Sequence, residues 1–176
     1  MKYLLTIVLS TTIVPPVAGI VAKQLKQKKA FASPEQEVLL GLRIAAARLV
    51  EPWGAFLKTT AGLTNSQYNA LRILRGSHPT QLTCSDIGQR MIARDPDVTR
   101  VVDRLAARKL VERTRGSRDR RVVEVGITEA GLALLRELDV HVLRMPKALL
   151  GHLGPARLRQ LRTLLEALIA DIGTFP

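Results

Sequence analysis

The amino-acid sequence predicts a mainly α-helical fold that carries a small β-hairpin, and the stretch from Gln81 to Gly131 is the basis of this prediction. Two runs alternate in the manner of β-strands, one at residues 110–114 and the other at residues 122–127. The residues between them, 115–121, contain the Gly and Ser that are typical of a hairpin turn. Two short helical patterns precede the hairpin. Helix, turn, helix and then a hairpin is the order of a winged helix-turn-helix, with the hairpin as its wing.

The tip of the predicted wing is strongly basic. Within residues 113–121 only Asp119 opposes a run of five arginines: Arg113, Arg115, Arg118, Arg120 and Arg121. Because a hairpin tip has little core to pack against, this charge must face water or a polyanion. Arginine can pair with phosphate through two hydrogen bonds and can enter a narrow minor groove. The tip is therefore a solvated loop or a nucleic-acid contact, and the preceding helices favour the nucleic-acid contact.

The first of those helices is predicted to follow Thr83, which forms a capping-box pattern with Asp86. The second is predicted to begin near Asp95 and Pro96, because Pro suits a first helical turn and Asp suits the positive end of a helix. Its apolar residues fall on one side. The other side is polar, with arginines spaced to project together, and comprises Asp97, Thr99, Arg100, Asp103, Arg104 and Arg108.

Residues 119–131 resemble the wing signature of MarR-family transcriptional regulators, D-x-R-x-x-x-V-x-L-T-x-x-G. Residues 98–105 are similar to the recognition helix of that family, and residues 110–113 are similar to the start of its first wing strand. The resemblance extends more loosely from about Ser33 to the end of the chain. Lys109 stands where the family usually has Gly, so it has to accommodate a turn that favours a positive φ.

The resemblance implies a cytoplasmic, sequence-specific regulator of transcription, a repressor that binds double-stranded DNA as a homodimer on a pseudo-palindromic operator. It also implies release by a small aromatic or phenolic effector held between the dimer helices and the DNA-binding lobe. In this chain the residues available to line such an effector pocket are Trp53, Phe56, Tyr68, His78 and His141. The alternative for each is an ordinary core position, which residues at helical spacing usually occupy.

Composition limits the remaining function classes. A chain of 176 residues suffices for one domain with a proper core, and its net charge of +12 fits a phosphate-rich partner or a membrane surface. The low aromatic content favours duplex DNA over single strands, which bind by stacking. Cys84 is the single cysteine, so we predict a space-filling side chain and no disulfide. The sequence contains no metal, cofactor or nucleophile motif, and it predicts no enzyme.

Residues 1–32 form an apolar and basic N-terminal extension. Tyr3 to Ala22 is uncharged and long enough to span a bilayer, at roughly 20 residues per crossing. Three alternatives remain open: a membrane anchor, a secretory signal, and a start-site error with a natural start near Val21. We expect residues 1–22 to be dispensable for function, and a membrane to be a partner only if they are retained.

Residues 33–176 are predicted to form one winged-helix domain with a DNA-binding lobe at residues 64–127. The first helix is predicted to run from a capping box at Ser33 to about Thr59, with a bend or break at Pro52. A second capping box, at residues 64–67, is predicted to begin a helix that ends at Gly76.

After the wing, Thr128 is predicted to cap a long helix with a kink at Pro146, and the last helix is predicted to restart at Gly154. Leucine is too dense in these helices for one small body to bury, and exposed apolar stripes usually mark a partner. We therefore expect residues 33–59 and 128–173 to be dimerisation helices. Pairing across a two-fold axis would place the two half-sites about 34 Å apart.

On the wing, Arg121 matches the family's wing arginine and is expected to enter the minor groove. Asp119 is expected to orient it, the alternative being a plain turn residue. Arg118 and Arg120 are expected to lie on phosphates, where they add affinity and salt dependence without sequence information.

On the helices, Thr99, Arg100 and Arg104 are expected at base edges, since Arg reads guanine through two hydrogen bonds. Their alternative is a solvated polar face. Thr83 and Ser85 lie at a helix start and are expected to offer backbone N–H groups to phosphate, the alternative being a simple cap.

Two other function classes fit the same residues. One is a membrane-tethered basic module that binds anionic lipid, which requires residues 1–22. The other is a winged-helix adaptor for RNA or protein, because a fold does not determine a function.

Overall fold

A computed structural model of the protein describes residues 19–93, 97–115 and 122–172, and the chain divides into two compact units at Val50. The helices are α1 (Ile20–Gln24), α2 (Pro34–Ala61), α3 (Asn65–Ser77), α4 (Cys84–Arg90), α5 (Val98–Ala107), α6 (Glu129–Leu150) and α7 (Gly154–Asp171). A short 3-10 turn, Gly151–Leu153, precedes α7. The strands are β1 (Leu82–Thr83), β2 (Val111–Arg115) and β3 (Val123–Ile127). This mainly helical composition with a small sheet confirms the predicted fold class.

The three strands form one antiparallel sheet in the order β1-β3-β2. In its register Val111 lies opposite Ile127, Arg115 lies opposite Val123, and Leu82 of β1 lies opposite Val125. The predicted hairpin is thereby confirmed. Strand β1 was not predicted, because two residues are too few to show an alternating pattern.

The core of the second unit is formed by aliphatic side chains from α2, α3, α4, α5, α6 and the sheet. Those almost fully removed from solvent are Leu57, Leu63, Leu71, Leu74, Ile87, Val102, Leu105, Val125, Leu135 and Leu138. Cys84 packs against this core as a free, half-buried thiol. Burial of aliphatic surface is the main source of stability, and here it fixes α5 and the hairpin base to one body.

Side-chain caps begin several helices where the sequence predicts them. Thr64 with Gln67 and Thr83 with Asp86 form complete capping boxes, and Thr128 accepts a hydrogen bond from the Gly131 N–H. At α2 the box is altered: Ser33 accepts from the Gln36 N–H, but the Gln36 side chain accepts from the Ala32 N–H.

The predicted start of α5 near Asp95 and Pro96 was wrong by two or three residues. The helix begins at Val98, and the Asp97 carboxylate accepts a hydrogen bond from the Arg100 N–H at 3.0 Å. Satisfying this N–H makes Asp97 the N-cap, so the helix starts immediately after it. Residues 94–96 lie outside the described part of the chain.

The prolines do not interrupt their helices. Helix α2 continues through Pro52 and α6 continues through Pro146, so of the bend or break predicted at Pro52 the break is wrong and the bend stays a prediction. Proline removes one intrahelical hydrogen bond, but packing of the following turn decides whether the helix goes on. Leu57, just beyond Pro52, has no solvent exposure and supplies that packing.

Helix α1 was also not predicted, since regular structure was expected to begin at Ser33. Its N-cap, Gly19, makes no side-chain capping hydrogen bond, so the sequence contains no start signal for this helix.

In the part of the chain that the structure describes, no helix combines the length and apolar character needed to cross a membrane. Residues 1–18 of the N-terminal extension lie outside that part.

Candidate nucleic-acid interface

Helix α5 presents a polar face to solvent. Val102 and Leu105 are completely buried in the core. Thr99, Arg100 and Arg104, on the other side of the helix, are exposed. The core contact therefore fixes the rotation of α5 about its axis and leaves all three predicted base-edge residues accessible.

An open cleft of about 280 Å³ lies between this face and the start of α3, and we call it the α3–α5 cleft. Its lining residues are Thr64, Ser66, Gln67, Asp97, Arg100, Val101 and Arg104. The two arginines and the positive end of the α3 dipole face the same opening, which makes this surface attractive to an anion. The contribution of Thr64 and Ser66 was missed from the sequence, where they are visible only as a cap, more than 30 positions from Arg100.

At the start of α4, Thr83 and Asp86 form a capping box that satisfies backbone N–H groups of the first turn. The Thr83 hydroxyl donates to an Asp86 carboxylate oxygen at 2.6 Å and accepts from the Asp86 N–H at 3.1 Å. The Thr83 N–H also donates to the Asp86 carboxylate, at 3.1 Å, and the two bonds that the carboxylate accepts, from the hydroxyl first and from this N–H second, hold the pKa of Asp86 below its ordinary value. The contribution of the box to stability is therefore present above that ordinary value and is lost as the pH falls through the lowered pKa. Ser85 is exposed beside this cap.

The base of the wing is joined to α5 by an ion pair. The Arg113 guanidinium on β2 binds the Asp103 carboxylate on α5. Arg113 was counted among the arginines that face water or a polyanion; it is exposed, but it also has a carboxylate partner within the protein that was not predicted. The contact fixes the hairpin base relative to the exposed face of α5.

The wing tip itself was the strongest prediction from the sequence. Four of its predicted site residues lie outside the described part of the chain: Arg118, Asp119, Arg120 and Arg121. Their roles stay predictions. Arg115, the last described residue of β2, is exposed.

The turn between α5 and β2 has the backbone conformation expected for it. Lys109 has a φ of 58°, in the left-handed region that favours glycine. Its carbonyl accepts a hydrogen bond from the Thr128 hydroxyl at 2.7 Å, which joins this turn to the start of α6.

Four of the five residues predicted for an effector pocket lie in contact, and we call them the aromatic cluster. Trp53 stacks on Phe56 with ring centroids 5.3 Å apart and meets Tyr68 edge-on at 5.0 Å. Phe56 lies 4.9 Å from the His141 ring. His78 does not share these ring contacts; it is exposed and forms the C-cap of α3.

A bidentate ion pair links the two helices α3 and α6. The Arg75 guanidinium donates to both oxygens of Asp139, at 2.7 and 3.0 Å. The hydrogen bond to Asp139 raises the pKa of Arg75 above its ordinary value. Arg75 and Tyr68 share α3, whereas Asp139 and His141 share α6, so the ion pair and the aromatic cluster connect the same two helices.

The described residues contain no cluster of three or more metal-ligating side chains that could hold a metal ion.

Comparison with known proteins agrees with this geometry. A sequence profile of the MarR family matches residues 61–122, the stretch that contains α3, α4, α5 and β2. A MarR transcription factor from Planctomyces limnophilus is 39% identical over 78% of this chain and 99% of its own, with a TM-score of 0.60.

Two further structures share the fold. BpsR of Bordetella bronchiseptica, whose DNA binding is regulated by 6-hydroxynicotinic acid, is 26% identical over 82% of this chain and 100% of its own, with a TM-score of 0.70. MepR of S. aureus, solved as a complex with DNA, is 21% identical over 74% of this chain and 95% of its own, with a TM-score of 0.67. The similarity to MepR, at 21% identity, shows a shared fold alone. With its winged-helix fold and the near-complete span of the Planctomyces relative, this chain belongs to the MarR family of transcription regulators, which are not enzymes.

Proposed function

We propose that the protein is a cytoplasmic repressor that binds double-stranded DNA sequence-specifically as a homodimer and is released by a small aromatic effector. The observation that carries this proposal is the exposed face of α5, on which Thr99, Arg100 and Arg104 lie opposite a buried aliphatic face. A helix inserted in the major groove can read guanine through arginine. In this proposal residues 64–127 form the DNA-binding lobe.

The α3–α5 cleft supports duplex binding in particular. At its rim, Arg100 and Arg104 lie beside the hydroxyl groups of Thr64 and Ser66 at the start of α3. Helix starts and hydroxyl groups commonly contact phosphate oxygens, and such contacts determine the register of a protein on the duplex. Base-edge and phosphate contacts can thus be made side by side from two neighbouring helices.

The homodimer is supported by apolar surface that a single chain leaves uncovered. No residue of α7 is buried, although the helix carries exposed Leu164, Leu168 and Ile169. On α6, Leu143 is 79% exposed. Exposed stripes of this kind usually mark an interface. We propose that residues 128–173, together with residues 33–59, cover these stripes in a second copy; a protein that sediments as a monomer at micromolar concentration would contradict the dimer.

Effector binding is supported by the aromatic cluster. Trp53 and Phe56 are only partly buried and His141 is exposed, so the cluster reaches the surface. Aromatic faces and edges stack well on a flat ring. By analogy with BpsR, the first probes are small aromatic acids that include 6-hydroxynicotinic acid. A probe that raises the melting temperature and releases the operator supports this part of the proposal, and Phe56→Ala should remove both effects.

The proposal as a whole is tested by titrating the full chain with duplex from its own upstream region. Random duplex, RNA of equal length and anionic phospholipid vesicles serve as competitors at two salt concentrations. We expect the upstream duplex to bind at least about a thousandfold more tightly than random duplex. Preference for RNA or for vesicles would instead support the adaptor or the lipid-binding alternative and would contradict the proposed function.

Two wing substitutions distinguish groove insertion from phosphate contact. We expect Arg121→Ala to lower operator affinity by one to two orders of magnitude, about the loss of one base-level contact. We expect Arg118→Ala to reduce the slope of log affinity against log salt by about one unit, because one phosphate contact is lost. Titrations of both variants at several salt concentrations measure both quantities. If neither variant differs from the parent, the wing does not contact DNA.

A further inference from the structure

Arg108 makes two hydrogen bonds to backbone carbonyls that its position in the sequence does not predict. It is the C-cap of α5. One guanidinium nitrogen, Nη1, donates to the Gly62 carbonyl at 2.9 Å, and the other, Nη2, donates to the Ala61 carbonyl at 2.8 Å. Both acceptors lie at the end of α2, more than 45 residues away in sequence.

The end of α2 explains why these carbonyls need a donor. The last carbonyls of a helix have no partner within the helix. Gly62 has a φ of 61°, which ends α2, and its N–H donates to the Lys58 carbonyl. The Leu63 N–H donates to the Leu57 carbonyl. Arg108 supplies donors to the carbonyls of Ala61, the last residue of α2, and Gly62, the residue after it, and its positive charge lies at the negative end of the α2 dipole.

This contact separates Arg108 from the other arginines of α5. Arg100, Arg104 and Arg108 are spaced by four residues, a spacing that by itself predicts one projecting row. Arg100 and Arg104 line the α3–α5 cleft. Arg108 lies about 12 Å beyond Arg100 and about 6 Å beyond Arg104 along the helix axis, at 1.5 Å per residue, and its guanidinium is directed at the end of α2. Helix-turn-helix proteins read bases mainly from the first part of the recognition helix, so Arg108 is at the wrong end for readout.

We propose that Arg108 is a positioning residue for DNA readout: it ties the end of α5 to the end of α2 and so determines the angle at which Thr99, Arg100 and Arg104 meet the bases. It does so without contacting DNA. The inference rests on the proposed function, in which α5 enters the major groove. Asp103 of α5 also contacts Arg113 of β2, so α5 has side-chain contacts with the base of the wing as well as with the end of α2.

Positioning and phosphate contact predict different results for Arg108→Ala. A phosphate contact adds about 0.9 to the slope of log affinity against log salt, whereas a contact with backbone carbonyls adds nothing to it. We therefore expect the variant to keep the salt slope of the parent. We expect its preference for operator over random duplex to fall about tenfold, comparable with the partial loss of one base contact.

The experiment measures both quantities for the full chain across four salt concentrations. Lys28→Ala, which removes an exposed charge outside both the DNA-binding lobe and the proposed dimerisation helices, is the matched control and should match the parent in operator preference. Arg108→Lys keeps the charge and one donor toward the carbonyls, so it should recover part of the preference. If circular dichroism shows that Arg108→Ala does not fold, the test uses Arg108→Lys only. The expected result is then a salt slope equal to that of the parent and a lower preference for operator over random duplex.

Two outcomes overturn the inference. A salt slope reduced by about 0.9 in Arg108→Ala would show a phosphate contact. An unchanged preference for operator in Arg108→Ala would show that the hydrogen bonds from Arg108 to the end of α2 do not affect base recognition. Failure of the proposed function is a separate result, because the parent protein itself would then show no preference for operator.

Discussion

Replacing Gly131 by alanine is expected to lower the free energy of unfolding by about 3 kcal/mol, at the upper end of the usual cost of overpacking. Gly131 is buried in the first turn of α6. A Cβ atom built there lies 2.3 Å from the Leu110 carbonyl oxygen and 2.7 Å from an Ile127 side-chain carbon. Both distances are below 3.0 Å, closer than a Cβ atom can lie to another heavy atom without displacing it. The carbonyl belongs to the backbone just before β2, so relieving the clash requires the base of the wing to move.

Thermal unfolding measures this effect directly. For a chain of this size 1 kcal/mol corresponds to roughly 2–4 °C, so we expect the melting temperature to fall by roughly 6–12 °C at a fixed protein concentration. Operator affinity should fall with it, because β2 carries Arg113 and leads into the wing tip. Gly76→Ala is the matched control: Gly76 lies within α3, no atom lies within 4 Å of the added Cβ, and alanine favours a helix by about 0.5–1 kcal/mol. A Gly131→Ala protein as stable as the parent would contradict the close approach.

Replacing both Arg100 and Arg104 by alanine is expected to lower operator affinity at least about thirtyfold, since each bidentate contact with guanine supplies about 1–3 kcal/mol of discrimination. The stability of the fold should not change. Both side chains are exposed, and the ion pair of Arg100 with Asp97, at 3.4 Å, is a surface pair of little energetic value.

Fluorescence anisotropy with operator and random duplex measures this loss. Affinity for random duplex should fall far less than affinity for operator, because base contacts contribute nothing to non-specific binding. The double variant Lys23→Ala/Lys28→Ala removes the same number of exposed charges outside the DNA-binding lobe and the proposed dimerisation helices, and it should leave the operator preference unchanged. Equal losses for the two double variants would mean that only the net charge of the protein attracts DNA, and the proposed reading face of α5 would be wrong.

Much of the fold was predictable because its signals are local. The Thr64–Gln67 and Thr83–Asp86 boxes connect residues three positions apart, and the alternation of β2 and β3 repeats every second residue. The same holds for the amphipathic pattern of α5, whose buried valines and exposed arginines are confirmed. Signals of this kind are complete within one or two turns of chain.

The sequence predictions fail or fall short in two situations. In one, a contact from a distant part of the chain decides the structure; in the other, an element is too short to show a sequence pattern. Pro52 predicted a bend or a break, but α2 does not break there and continues to the buried Leu57 and beyond. Strand β1 is formed by pairing with β3 and has no pattern of its own. Arg113 was counted with the basic tip because its charge is visible in the sequence and its partner on α5 is not.

The sequence by itself determined the order of helices and strands, the excess of positive charge and the face of α5 that carries it. Only the tertiary structure decided which of these arginines line the α3–α5 cleft and which bind acceptors elsewhere in the protein. Arg100 and Arg104 open onto a cleft, whereas Arg108 and Arg113 are occupied by Ala61, Gly62 and Asp103. The physical reason is that a guanidinium binds whichever acceptor folding brings within about 3 Å. Several of those acceptors come from distant parts of the chain, where no periodicity in the sequence connects donor and acceptor.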